Sequence, residues 1–453
     1  MADSSRGFRI ISPTAILGYG FPEASLHRGM ERRPHALAVD AGSVDPGPYY
    51  LGAGIPFVSR EAVHRDLRLL LRAARSADIP MLIGTAGGAG ARAHVDWTLD
   101  ILGVVAREEG CTLDAGVIYS DVPERTVRRH LERGELEPLD HAPALDAERL
   151  GETSAIVAQI GCPPIQRALR RGFQLVVCGR AYDPAVFAAP AIEAGHSPAL
   201  ALHMGKILEC AAIAAEPGSG RDAVLGTLYA DYFDLETLSD ERRFTDYSVA
   251  AHALYEKSNP YRLPGPEGTL DLTDARYEEL ADGRVRVSGS QLAGDSPHRV
   301  KIEGARKTGY RALFIAGSRD PGFLHQLDAI AGHISGEVRA RYPDVRTELH
   351  VYGRDGVMGP REPAAGPAGN EVGLVVETLA PDQDTASAAC ALFRSTMLHY
   401  GYPGRMSTAG NLAFPFSPSD IPCGPCYEFS IYHLMASDAE QSAFQAIGQE
   451  IGT

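Results

Sequence analysis

The chain is 453 residues long, more than one average core can organise, so two or three domains are expected. Its 58 acidic against 43 basic residues leave a net charge of -15, which argues against a nucleic-acid surface and against an anionic membrane. No apolar stretch approaches the roughly 20 residues that cross a bilayer, and the opening MADSSRGFRIISP lacks the order of a secretory signal, so a cytoplasmic protein is expected.

In chain order, FRIISPTA and HALAVDAG read as strands, REAVHRDLRLLLRAARSAD as a helix with leucines at helical spacing, and IPMLIGTAGG as a third strand. A helix in AHVDWTLDILGVVAREEG and a strand in DAGVIYSD follow. Helices near 124–134 and 162–171 then lead to the buried strand FQLVVCG. This alternation predicts an α/β fold, a parallel sheet covered by helices. Residues 215–285, rich in Asp, Tyr, Pro and Gly, read as an irregular arm of that domain, which is taken as 1–285. From 286 to 453 the pattern becomes a two-layer α+β unit: HRVKIEGA and YRALFIAGSRDP as a strand pair, two helices, and strands in TELHVYG, EVGLVVETLA and YEFSIYHLM.

In parallel sheets ligands bind beyond the carboxyl ends of the strands. Polar residues gather at four such ends: Asp40 with Gly42, Ser43 and Asp45; Thr85 with Gly87 and Gly88; Ser120 with Asp121; and Arg180, Tyr182 and Asp183. Each has a plain alternative, since an aspartate caps helices and a glycine serves any sharp turn. The glycines of GTAGGAGA lack dinucleotide-binding spacing, so no cofactor is expected. Metal-ligand spacings and a Gly-x-Ser-x-Gly elbow are also missing from the sequence. Seven scattered cysteines suit reduced thiols, and CGPC at 423–426 reads as a turn between strands rather than a redox pair, because no helix pattern follows it. Lysine occurs only at 206, 257, 301 and 307, which draws attention to Lys206 and Lys257 in polar segments.

Several segments together resemble one family: GCPPI (161–165), CGRAYDPAVFAAPAIEAG (178–195), HMGKILECAAIAAEP (203–217), SVAAHALYEKSNPYRLPGPEGTLDLTDARYE (248–278), GSRDPGF (317–323) and GNLAFPFSPSDI (410–421). They look like the acyclic terpene utilisation AtuA family. The resemblance spans nearly the whole chain and implies a setting in the degradation of branched acids, near acyl-CoA enzymes. Longer members continue into a small ferredoxin-like domain, so a separate small subunit of that kind is an expected partner, as is a homo-oligomer.

The residues themselves suggest proton chemistry. Arg180 offers a planar fork for a carboxylate, Asp183 or Lys206 could take a proton, and Tyr182 or His252 could return it. Asp40, Ser43, Thr85, Gly87, Gly88, Tyr255, Asn259, Arg319 and Asn411 are expected to line the substrate, with Glu256 in the same loop as Tyr255. The plain alternatives are an Arg180–Asp183 pair that pins the loop and an ordinary Lys206–Glu209 ion pair one helical turn apart. The reading is a lyase, hydratase or isomerase acting beside a carboxylate or CoA thioester. A noncatalytic subunit of an acyl-CoA-processing complex and a hydrolase of amides or esters are the alternatives.

Overall fold

The computed structural model describes residues 7–139, 141–255, 257–294, 298–363, 369–406, 409–437 and 443–452. Two compact units divide the chain: 1–306 with 429–453, and 307–428.

The first unit is built on a sheet whose centre is parallel. Strands β1 (Phe8–Ser12), β2 (Ala36–Asp40), β3 (Met81–Gly84) and β4 (Leu113–Ile118) are followed by two short strands, β5 (Leu136–Pro138) and β6 (Thr153–Ala158), and by β7 (Leu175–Cys178). The parallel order is β1-β2-β3-β7-β4. Successive side chains on these strands serve opposite faces, so Ala36, Ala38 and Leu82 join one apolar cluster while Leu37, Val39 and Ile83 join another. A sheet buried on both faces needs unbroken apolar strands, and β2, β3 and β7 are buried at every position.

The helix Arg60–Ala77 illustrates how a covering layer is specified. Ser59 accepts a bond from the Ala62 amide at its start, and Asp78 ends it in the left-handed region. Val63, Leu67, Leu70, Leu71 and Ala74 fall on one face and are buried. Each fully buried leucine contributes about 1.5–3 kcal/mol.

The expected irregular arm is ordered. β8 (Val224–Leu228) adds antiparallel to β1 and β9 (Tyr232–Thr237) antiparallel to β8, and a hairpin of β10 (Arg262–Gly265) and β11 (Gly268–Asp271) follows the helix Asp246–Leu254. β12 (Arg276–Glu279) and β13 (Val285–Ser288) complete that side of the sheet, while β14 (Gln291–Ala293) joins the hairpin. These strands have three to six residues and alternate with Asp, Tyr and Gly, so period-2 apolar spacing barely develops in any one of them.

The expected boundary at 285/286 also moves. HRVKIEGA and YRALFIAGSRDP are one continuous strand, β15 (Arg299–Ser318), whose first residues pair with β6 in the first unit. In the second unit its later residues pair with β17 (Val372–Ala380), and β17 pairs with β16 (Arg346–Tyr352). The helices Leu327–Arg341 and Gln383–His399 cover one face of these strands through Phe314, Leu374, Ile334 and Phe393, the two-layer arrangement expected for this segment. The long strand β18 (Asp420–Ala436) leaves the second unit, and β19 (Ile447–Ile451) pairs with β4 in the first.

CGPC lies inside β18 rather than at a turn between strands. Cys423 is exposed and Cys426 buried, and burial pushes both thiols above their ordinary range. A nucleophilic redox pair needs the opposite shift. Alkylation at pH 6 with peptide mass mapping is therefore expected to leave both thiols largely unmodified; rapid labelling of Cys423 at that pH would revive the redox reading.

Candidate active site

Neighbouring parallel strands end side by side, so the residues that follow them must share one rim. Backbone bonds continue past the strands to fix it: Ala41 donates to Gly84, Thr85 to Gly179, Ala86 to Cys178, and Gly179 to Ile118. Thr85 pays for its place with a left-handed φ of 44°, uncommon for a β-branched residue. Its hydroxyl accepts from the Ala181 amide at 3.3 Å. The glycine-rich loop after β3 passes close beneath the next one: a Cβ on Gly90, whose φ is +69°, would lie 2.2 Å from the Arg180 nitrogen.

At the centre is Arg180, only 2% exposed. Its Nε donates to Glu303 Oε2 at 2.9 Å, and its Nη1 donates to Asp183 Oδ1 at 2.6 Å and to its neighbour's carbonyl, Ala181 O, at 2.7 Å. Glu303, on β15, is held opposite Val157 by the pairing with β6 and also faces Lys301 Nζ at 2.7 Å. Lys301 in turn donates to Tyr432 Oη at 2.7 Å. Burial raises the Glu303 carboxyl, but Arg180 and Lys301 outweigh it and hold the group below its usual range. Burial likewise opposes the charge on Arg180, and Glu303 and Asp183 more than restore it.

Asp40, at the end of β2, has the reverse balance. It is 6% exposed, and its Oδ1 has no hydrogen-bond partner among the described residues. Loss of solvent raises its pKa well above the ordinary carboxylate value, the charge of Asp183 adds to that, and Arg180 opposes it. Beside it, Lys206 Nζ donates to Glu209 Oε1 at 2.7 Å. Lys206 belongs to the helix Pro198–Leu208, which is buried from Ala199 onward, so its ammonium needs that carboxylate. Tyr182 is buried, and burial followed by the charges of Glu209 and Glu267 raises its phenol well above the ordinary value. Glu267 comes from the turn between β10 and β11, accepts from the Cys162 amide, and is raised chiefly by burial.

Asp40, Thr85, Arg180, Tyr182, Asp183 and Lys206 thus belong to one cluster. Tyr255 extends it outward, its ring centre 5.9 Å from Lys206 Nζ, with the buried His252 ring tilted against it at 5.6 Å. The other expected residues have local duties. Ser43 accepts from the Asp45 amide in a turn, and Asn259 accepts from the amides of Tyr261 and Arg262 ahead of β10. Gly87 and Gly88 have positive φ and sit against His94 and Phe57, where a Cβ would not fit. Asn411, in the second unit, donates to the carbonyls of Met397 and Tyr400 at a helix end, and Arg319 is an exposed residue of that unit. Glu256 lies outside the described residues.

Glu303, Lys301 and Glu267 were not anticipated. Lys301 carried a signal, being one of the chain's four lysines; Glu303 and Glu267 carried none. His203 was also passed over: it is fully buried between Ser290 Oγ and Tyr277 Oη, and burial, with Lys206 adding to it, lowers its pKa to about 3. It is a neutral hydrogen-bonding core residue.

A family model described as acyclic terpene utilisation family protein AtuA matches residues 60–219 and 240–416. The chain belongs to that family. The matched spans hold Thr85, Arg180, Tyr182, Asp183, Lys206, Glu209, Glu267, Lys301 and Glu303, whereas Asp40 and Tyr432 lie beyond them. No curated protein and no solved structure matches this AtuA-family chain. Among the described residues, no helix is long and apolar enough to cross a membrane, and no group of three His, Cys, Asp or Glu side chains is placed to hold a metal ion.

Proposed function

We propose that the protein is an enzyme that moves a proton on carbon beside a carboxylate or CoA thioester, as a lyase, hydratase or isomerase of a small branched or unsaturated acid. The observation that carries this reading is the inequality of two neighbouring carboxyls. Asp40 favours its neutral form, whereas Asp183 is paired with Arg180. Two neighbouring carboxyls in such different surroundings, one with a buried oxygen lacking a partner among the described residues and one bonded to a cation, suit a proton donor and a proton acceptor.

Roles follow from the contacts. Asp40 is the donor and Asp183, whose side chain is 22% exposed, the acceptor nearest to solvent. Arg180 is engaged by Asp183, Ala181 and Glu303, so it positions the acceptor instead of anchoring the substrate acid. Lys206 supplies positive charge beside Tyr182, and the exposed Tyr255 ring, in contact with His252, stands on its outer side.

The test is deuterium incorporation. Branched unsaturated acids and their CoA esters are incubated with the protein in heavy water and followed by NMR. Asp40→Asn and Asp183→Asn are each expected to slow exchange by about 100-fold or more. Unchanged exchange in both variants would sink the assignment.

A second reading draws on the enclosure of the cluster, where Asp40, Arg180, Tyr182, Lys206 and Glu209 are each at most 7% exposed. On that reading the chain is a noncatalytic subunit whose partner is an acyl-CoA enzyme, a small ferredoxin-like subunit or a second copy of itself. Absence of exchange with every acid, together with recovery of a stoichiometric partner from the native host, would favour it.

A further inference from the structure

On the first unit, away from the strand-end cluster in composition and in residues, a groove of about 610 Å³ runs over the antiparallel side of the sheet. Its floor is the cross-strand row formed where Arg9 on β1 stands opposite Thr227 on β8, with Leu225 opposite Glu236 on β9 alongside. Five arginines line it: Arg9, Arg32, Arg242, Arg243 and Arg284. Such a density is unexpected in a chain with a net charge of -15.

Three carboxylates also line the groove, and each already has an arginine. Glu236 pairs with Arg32 at 2.6 Å, Asp282 with Arg284 at 2.7 Å, and Asp240 with Arg28 at 2.6 Å. Arg242 is held by Asp222 at 3.0 Å. Arg9 and Arg243 remain. The Nε of Arg9 donates to the Arg33 carbonyl at 3.0 Å, and neither guanidinium has a carboxylate partner among the described residues. Two guanidinium groups without a carboxylate in one groove complement a compact dianion with several acceptor oxygens, which is the chemistry of a phosphate or diphosphate.

We propose that this groove binds a phosphorylated small molecule, with Arg9 and Arg243 as the residues that hold its phosphate oxygens. The proposal does not depend on proton transfer at the Asp40 cluster. Inorganic phosphate, pyrophosphate, ADP and coenzyme A are titrated separately by calorimetry at low salt. Pyrophosphate or one of the nucleotides is expected to bind, with affinity falling as salt rises. The Arg9→Gln, Arg243→Gln double variant is expected to weaken binding about tenfold or more, that is by about 1.4 kcal/mol or more. Arg339→Gln, an exposed arginine that does not line the groove, should bind as the wild type does. Tighter binding of ADP or coenzyme A than of pyrophosphate identifies the ligand as a nucleotide; equal or weaker binding identifies a free diphosphate. No binding by any of the four at millimolar concentration, or unchanged affinity in the double variant, overturns the proposal.

Discussion

Glu303→Ala is expected to destabilise the first unit by about 3–5 kcal/mol, because it leaves two cations buried without their shared counter-charge. Arg180 would keep Asp183, but Lys301 would keep only the Tyr432 hydroxyl. Urea unfolding followed by the fluorescence of Trp97, the chain's single tryptophan, reports on that unit. Loss of less than about 1 kcal/mol would show the cations finding other partners or solvent, at the level of an exposed pair. The pH dependence adds a second check. The folded protein holds Glu303 below its ordinary range, so its contribution is present above the unfolded value and disappears as pH falls through the folded one. Wild type should therefore lose stability steeply below about pH 4, and the variant should show a shallower acid limb.

Gly90→Ala is expected to be comparably severe, for a steric reason. The added carbon would meet the Arg180 nitrogen at 2.2 Å and its Cα at 2.6 Å, and these are backbone atoms that no rotamer change can move aside. The left-handed φ of +69° adds about 1–2 kcal/mol for a residue with a Cβ. Gly110→Ala separates the two contributions, since its φ of +60° is similar and nothing lies within 4 Å of the new carbon. Gly110→Ala should cost about 1–2 kcal/mol and Gly90→Ala about 3–5 kcal/mol with loss of activity. Equal costs at the two positions would show that the loop over Arg180 yields freely.

The strands of the parallel sheet were legible because burial on both faces writes an unbroken apolar run such as LVVC or ALAVD. The rim was legible too, since polar residues placed directly after such runs have nowhere to go except the strand ends. The duties within it were not. Arg180 reads equally as a substrate fork or a buried pillar, and its bond to Glu303, 123 residues away, leaves no trace in the local sequence. The same blindness hid Glu267, which reaches the Cys162 amide from a hairpin over a hundred residues downstream. The antiparallel side escaped because its strands are short and half polar, and the groove above it escaped because its arginines come from four separate stretches of chain.

The path of the chain between the two units bears on how the protein is made. Residues 307–428 form a contiguous unit, whereas the first unit needs both its long N-terminal part and the segment from 429 onward. β4 waits for β19, and β5 waits for the end of β18. On the ribosome the later-synthesised middle unit can close while the earlier one is still open at both of these edges. Until the last strands emerge, the nascent chain presents the unpaired backbone of β4 to its surroundings, so the interval between residues 118 and 447 is when a chaperone would be of most use to it.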